Sequence, residues 1–270
     1  MTKPTNVSQK STTNTSPQPL KSVSKSPTNP AYPLVTVNDG LTYPVLSMGV
    51  YISGPASDAW GFSAWLGRAG CYLVDTPLKA DLVVFTGGSD VNPSMYGENV
   101  LSETHVDLER DKADNALYEI CFNNRIPMIG ICRGLQFLWV KMGGKLYQDI
   151  NGHNDGEHEI TYFETNTRYL ASSVHHQSAF PTTVPGMRLL ASSRVSTTRK
   201  CTTHVSQGPG IEYEIIAFME QGMLLFQGHP EYKGWPEYSK LCADLIKKHI
   251  FDSTYTKYED GNLRVVNLNK

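Results

Sequence analysis

Cysteine is scarce in this sequence: five residues in 270, an odd number, widely spread and without a C-x-x-C pair. That argues against a disulfide framework and for free thiols in a reducing compartment. Long apolar runs are missing as well. None approaches the ~18 residues a spanning helix needs, so no membrane partner is expected. Neither sign of charge dominates. Lys+Arg total 24 against 26 Asp+Glu, for a net charge of -2, and no basic block appears, so no nucleic-acid partner is expected either. The opening "MTKPTNVSQK" lacks an apolar h-region and does not read as a secretory signal. The expectation is a cytoplasmic protein. Apolar residues are few across 1–30, where Ser, Thr, Pro, Asn, Gln and Lys prevail. Such a segment buries too little surface to offset its ordering entropy, so it reads as a disordered tail ahead of one domain, 31–270.

What is present is globular: 40% hydrophobic and 19% charged residues. "PVLSMGVYI" (44–52), "CYLVD" (71–75), "ADLVVFTGG" (80–88) and "PMIGI" (127–131) read as strands. "SDAWGFSAWLGRAG" (57–70) and "ERDKADNALYEICFNNR" (109–125) read as helices between them. Alternating strands and helices predict an α/β domain with a mostly parallel central sheet flanked by helices. The second half is richer in strands, with "KLYQDI", "EITYFET", "MRLLASS", "EYEIIAFME" and "MLLFQG", and closes on a helix over 236–250.

"PMIGICRGLQFLWVKMGG" (127–144) carries the first chemical signal. Cys132 sits where an apolar strand turns into a helix, between Gly130 and Gly134. This is the frame of a nucleophile elbow, in which flanking glycines allow unusual backbone angles and leave the nucleophile approachable. A helix N-terminus also favours the thiolate. The same pentapeptide fits a buried structural cysteine about equally well. A thiolate nucleophile needs a base, an orienter and an oxyanion site. "FQGHPEY" (226–232) follows a strand, and Pro230 predicts an extended backbone that turns His229 and Glu231 to one side. "VVFTGGSD" ends a strand in Gly87–Gly88, whose bare N–H groups, with that of Arg133, are candidate oxyanion donors. In open α/β sheets ligands bind at such carboxyl ends.

These segments together resemble the class I (triad) glutamine amidotransferases, and within them the γ-glutamyl hydrolase branch, including γ-glutamyl-γ-aminobutyrate hydrolases. The resemblance is carried by "GGSDVNPSMYGE" (87–98), "ERD" (109–111), "GICRGLQ" (130–136), "GGKLYQDI" (143–150), "SVHHQ" (173–177) and "HPE" (229–231). It implies a flavodoxin-like core. It also implies Cys132 as nucleophile, His229 as base, Glu231 as third member, and the Gly88 and Arg133 backbones as oxyanion donors. Gly87, Gln136, His175, His176 and Gln177 would hold the γ-glutamyl group. Glu98 and Arg110 read as structural. No cofactor and no metal are expected. The implied substrate is glutamine or a γ-glutamyl amide, with ammonia passing to a synthetase or ligase acting in trans. The alternatives are a stand-alone γ-glutamyl hydrolase and a non-catalytic γ-glutamyl or partner-binding module. Departures from the branch are Asp114 for Glu, Trp139 for Asn, Ser172 for Asn, Gly228 for an aromatic, and a short segment from Asp149 to His175. Gly228 suggests a pocket wall left open for a partner surface. Elsewhere, Cys71, Cys121, Cys242, Trp60 and Trp65 read as core, Cys201 and His204 as exposed loop, and His153 and His158, whose spacing is loosely metal-like, as a mobile polar loop near the site.

Overall fold

A computed structural model describes residues 40–54, 56–259 and 262–267; the expected tail lies outside these residues. The strands of the main sheet are β1 (Gly49–Ile52), β2 (Tyr72–Leu73), β3 (Leu82–Phe85), β4 (Met128–Ile131), β5 (Gly156–Tyr162), β6 (Thr167–Ser173), β7 (Met187–Ser193), β8 (Glu212–Phe218) and β9 (Met223–Phe226). Their order across the sheet is β2-β1-β3-β4-β9-β8-β7-β5-β6. From β2 to β9 every pairing is parallel. From β9 to β6 every pairing is antiparallel. The fold is α/β, as the alternation of elements predicts, and the sheet is mixed, with the strand-rich second half supplying the antiparallel side. Among the described residues no helix is long and apolar enough to cross a membrane.

The helices are α1 (Ala56–Gly67), α2 (Leu108–Asn124), α3 (Arg133–Lys141) and α4 (Pro236–Ile246). They cover both faces of the parallel half, which is why β3, β4 and β9 read as unbroken apolar runs rather than alternating ones. Successive side chains still point to opposite faces. Leu82 and Val84 join Phe62 and Trp65 of α1 and Leu241 of α4 in one core. Val83 and Phe85 join Leu117 of α2 and Leu135 and Phe137 of α3 in the other. At roughly 1.5–3 kcal/mol for each fully buried Val, Leu, Ile or Phe, these two cores fix the parallel half.

Helix α2 starts where it does because Asp107 caps it, its carboxylate accepting from the Arg110 N–H at 3.0 Å. That start sets Arg110, Asp111 and Asp114 against the strand ends. Trp65 is buried as expected, but Trp60 is 66% exposed, on the outward side of α1. Cys121 and Cys242 are in the core and Cys71 borders it. Cys201 corrects the loop reading: it is buried at the end of the strand Thr198–Cys201, which pairs with His204–Gln207. His204 is exposed.

Candidate active site

Three neighbouring parallel strands end side by side. β3 runs out into Gly87–Gly88, β4 into Cys132, and β9 into Gly228–His229, with β4 in the middle. Cys132 has φ 54° and ψ -109°, a conformation costing about 1–3 kcal/mol that only a tightly determined turn retains. Its N–H donates to the Phe226 carbonyl at 2.8 Å, and α3 begins at the next residue. The flanking glycines serve a purpose other than approach to the sulfur. A Cβ on Gly130 would lie 2.4 Å from the Gly134 carbonyl oxygen, and one on Gly134 would lie 2.0 Å from that of Phe85. Both clashes are with backbone, so the glycines let α3 lie against β3 and β4.

His229 Nδ1 pairs with Glu231 Oε1 at 2.7 Å. The pairing is the expected one, but the backbone differs: the Tyr232 N–H donates to the His229 carbonyl at 3.3 Å, so Pro230 and Glu231 form a turn rather than an extended segment. Pro is favoured at the second position of such turns. The turn also lays the Tyr232 ring on the imidazole, with centroids 4.5 Å apart and planes 9° apart. Sequence reasoning missed Tyr232; its signal was its place three residues after His229. On the other side the His229 N–H donates to Ser172 Oγ at 2.6 Å. Burial pulls the imidazole pKa down, but the hydrogen-bonded Cys132 sulfur and the Glu231 carboxylate outweigh it and hold His229 up to about 11. Gly87 is the close neighbour of both groups: a Cβ there would lie 3.0 Å from His229 Cε1 and 3.8 Å from Cys132 Cβ.

Cys132 opens on a cavity of about 230 Å³, lined by Gly88, Ser89, Asp90, His105, Cys132, Gln136, Val174, His175, His176 and Gln177. Six of the residues singled out by sequence are therefore brought together here. Their polar groups divide in two. Gln136 Nε2 donates to the Gln177 carbonyl at 3.0 Å, and His175 Nδ1 meets the same oxygen at 2.8 Å. The Gln177 amide donates to the Gln148 carbonyl at 3.2 Å. These three hold the cavity wall. His176 Nε2 meets both Asp90 carboxylate oxygens, at 3.1 and 3.2 Å, and that hydrogen bond raises its pKa. Asp90 escaped notice as a site residue although "GGSD" places it two residues after Gly88.

The peptidase C26 family profile matches residues 72–204, a stretch that carries β3, the Cys132 elbow and the S-x-H-H-Q segment. The chain is similar to the peptidase C26, class I glutamine amidotransferase-like family. A glutamine amidotransferase-like protein of Lactococcus lactis is 28% identical over 56% of this chain and 66% of its own length. The γ-glutamyl-γ-aminobutyrate hydrolase of Escherichia coli O157:H7 is 42% identical over 27% of this chain and 28% of its own. The γ-glutamyl-CDP-amidate hydrolase of Campylobacter jejuni is 32% identical over 35% and 42%. The chain thus spans between about a quarter and two thirds of the length of these relatives. In fold it resembles a GMP synthase protein from Thermoplasma acidophilum, with a TM-score of 0.51 at 13% identity, over 74% of this chain and 92% of that one.

Three of the departures, Asp114, Trp139 and Gly228, have a local answer. Asp114 accepts from Arg110 Nε at 2.9 Å and from the buried Arg133 guanidinium, which also donates to Asp111 at 2.6 Å. Arg110 in turn donates to the carbonyls of Thr86 and Gly87, both at 3.1 Å, so the network fastens the Gly87–Gly88 turn. The Arg110 reading as structural agrees with this. Trp139 is buried away from the cavity, its indole N–H on the Lys145 carbonyl at 2.8 Å. A Cβ on Gly144 would lie 2.2 Å from that ring. The expected opening at Gly228 is filled instead: a Cβ there would lie 3.0 Å from the Ser172 carbonyl and 3.1 Å from the Tyr238 ring. His153 and His158 are buried, His158 on β5, and do not form a mobile loop.

Proposed function

We propose that this chain hydrolyses a γ-glutamyl amide through a Cys132 thioester, with His229 and Glu231 completing a triad. The observation that carries the reading is the relay from Glu231 through His229 to Cys132 on the cavity wall. The Cys132 sulfur attacks the γ-carbonyl carbon, and the carbonyl π electrons move to oxygen. The Gly88 and Arg133 N–H groups donate to that oxyanion. His229 gives its proton to the amide nitrogen as the C–N bond breaks, and ammonia or an amine leaves. Water then attacks the thioester with His229 as base, and glutamate departs from the thiolate. Glu231 keeps its charge and holds the imidazole in register. Asp90 and His176 offer opposite charges to the α-ammonium and α-carboxylate of the glutamyl group. At about 230 Å³ the cavity is below the ~300 Å³ at which drug-sized ligands begin, which suits a group of amino-acid size.

The reading in which ammonia passes to a synthetase in trans leaned on the short segment from Asp149 to His175 and on an open wall at Gly228. Tyr238 occupies that space, so support moves to hydrolysis by the chain alone. Assay of the purified chain on glutamine and on γ-glutamyl amines tests this. The expected result is glutamate release without a partner, abolished in Cys132→Ala. Activity on glutamine that appears only with a synthetase or ligase would return the reading to an amidotransferase that works with a partner. Turnover that persists in Cys132→Ala would remove the triad.

A further inference from the structure

Below the cavity wall lies a cluster that the reaction does not use. His153, His158 and His175 are all buried, and one nitrogen from each ring can be placed within 4.8 Å of one from each of the others. Ring centroids are 4.6 Å apart for His153 and His158, and 4.4 Å for His153 and His175. In each ring one nitrogen is held. His153 Nδ1 meets Ser173 Oγ at 3.1 Å, His158 Nε2 meets Glu214 Oε1 at 2.8 Å, and His175 Nδ1 meets the Gln177 carbonyl at 2.8 Å. In each ring the other nitrogen, His153 Nε2, His158 Nδ1 and His175 Nε2, is buried without a hydrogen bond. His153 Nε2 lies 3.3 Å from Glu212 Oε2 but not in hydrogen-bond geometry. Glu214 Oε2 is likewise buried and unpartnered.

An imidazole fixed through one nitrogen by a carboxylate, carbonyl or hydroxyl, with the other left bare, is the arrangement of a metal-ligating histidine. We propose that His153, His158 and His175 form a buried divalent-metal site, with zinc as the ion the three imidazoles favour. Imidazole donors without sulfur suit Zn²⁺, and three histidines leave the fourth tetrahedral position to a water. Bonds of about 2.1 Å in a tetrahedron set ligand atoms about 3.4 Å apart, so each ring would move inward by roughly 0.8 Å. His175 belongs both to this cluster and to the cavity wall, which gives the ion its route in. The ion would clamp β5 and the loops at 153 and 175, and so fix the wall that carries His176 and Gln177.

Cys132 and His229 could themselves take zinc, so the test uses the full chain carrying Cys132→Ala, stripped with a chelator. Zn²⁺ alone is added, bound metal is counted by mass spectrometry after gel filtration, and melting is followed. The expected result is one equivalent of Zn²⁺ per chain and a higher melting temperature. Co²⁺ in its place should give visible d–d bands without a sulfur charge-transfer band. His153→Gln and His158→Gln, made separately, should each weaken binding by about 100-fold or more. Sub-stoichiometric Zn²⁺ in the Cys132→Ala chain, sulfur ligation of Co²⁺, or affinity unchanged in both variants would overturn the site. The cluster would then be a histidine–glutamate network satisfied by protons.

Discussion

The two halves of the sheet deliver chemistry in different ways. In the parallel half the candidate reacting groups sit at strand ends: Gly87–Gly88 after β3, Cys132 after β4, His229 after β9. What matters there is backbone, bare N–H groups and a helix N-terminus, and the strands themselves are wholly apolar. In the antiparallel half the polar groups are inside the strands. Glu212 and Glu214 share one side of β8, Ser193 of β7 donates to both, and His158 of β5 meets Glu214. A strand covered on both faces by helices has no room for such groups, whereas strands in an antiparallel ladder can alternate polar and apolar residues. The comparison teaches that damage to the parallel half should appear in turnover, and damage to the antiparallel half in stability.

The largest break should come from Cys132→Ala, which is expected to lower glutamate release by roughly 10⁴-fold or more while leaving the melting temperature within a few degrees. Mass spectrometry after treatment with a glutamine-like electrophile should show label on Cys132 and none on the other four cysteines. Glu231→Gln comes next, with a loss of up to about 10⁴-fold. It also has a pH signature. His229 is held up to about 11, so it stays protonated through pH 9 and loses its proton only as pH rises through that value. Removing the Glu231 charge lowers that pKa, and the alkaline limb of the rate profile should move to lower pH. An unmoved limb would detach Glu231 from His229.

Asp114→Asn strips Arg110 and Arg133 of a shared buried partner and should cost about 3–5 kcal/mol. It tests the comparison at its weakest point, because this network is structural yet fastens the Gly87–Gly88 turn, so both readouts should fall. In the antiparallel half, Glu212→Gln in chelator-treated protein should cost about 1–3 kcal/mol and leave kcat/KM within a few-fold. Burial works against ionisation of Glu212, but His153 and the Ser196 and Val195 N–H groups hold its carboxyl down to about 2. A depressed carboxylate stabilises the fold above its ordinary pKa of 4.5 and loses that effect as pH falls toward 2. The melting gap between variant and parent should therefore be full at pH 6 and close as pH drops. The smallest effect is expected from Tyr232→Ala. Loss of a ring stack worth about 0.5–1.5 kcal/mol should reduce turnover by a few-fold.

Much of the parallel half was legible. β3, β4 and β9 are short apolar runs that stop at glycine or cysteine, and stops of that kind are local events written in consecutive residues. The same holds for the pairing of His229 with Glu231, two residues apart. The antiparallel half was less legible. β6 and the strand at 198–201 were not expected, because "TRYLASS" and "TRKC" are neither apolar runs nor clean alternations. Cys201, His153 and His158 were misplaced for the same reason: polar neighbours suggested solvent, while their burial depends on partners far along the chain. Trp60 erred in the other direction, since one helix side carries Trp65 inward and leaves Trp60 outside.

The sequence by itself determined the α/β class, the elbow at Cys132, the candidate triad and the glycines that must lack a side chain. Each is a local pattern or an ordered set of motifs. Tertiary structure alone decided what fills the space at Gly228, which way the Pro230 turn folds, and that Ser172 of β6 grips the His229 backbone. It alone brought His153, His158 and His175 to one point with Glu212 and Glu214. The physical reason is separation along the chain: groups 20 to 56 residues apart meet only when the antiparallel strands take their register, and no short stretch encodes that meeting.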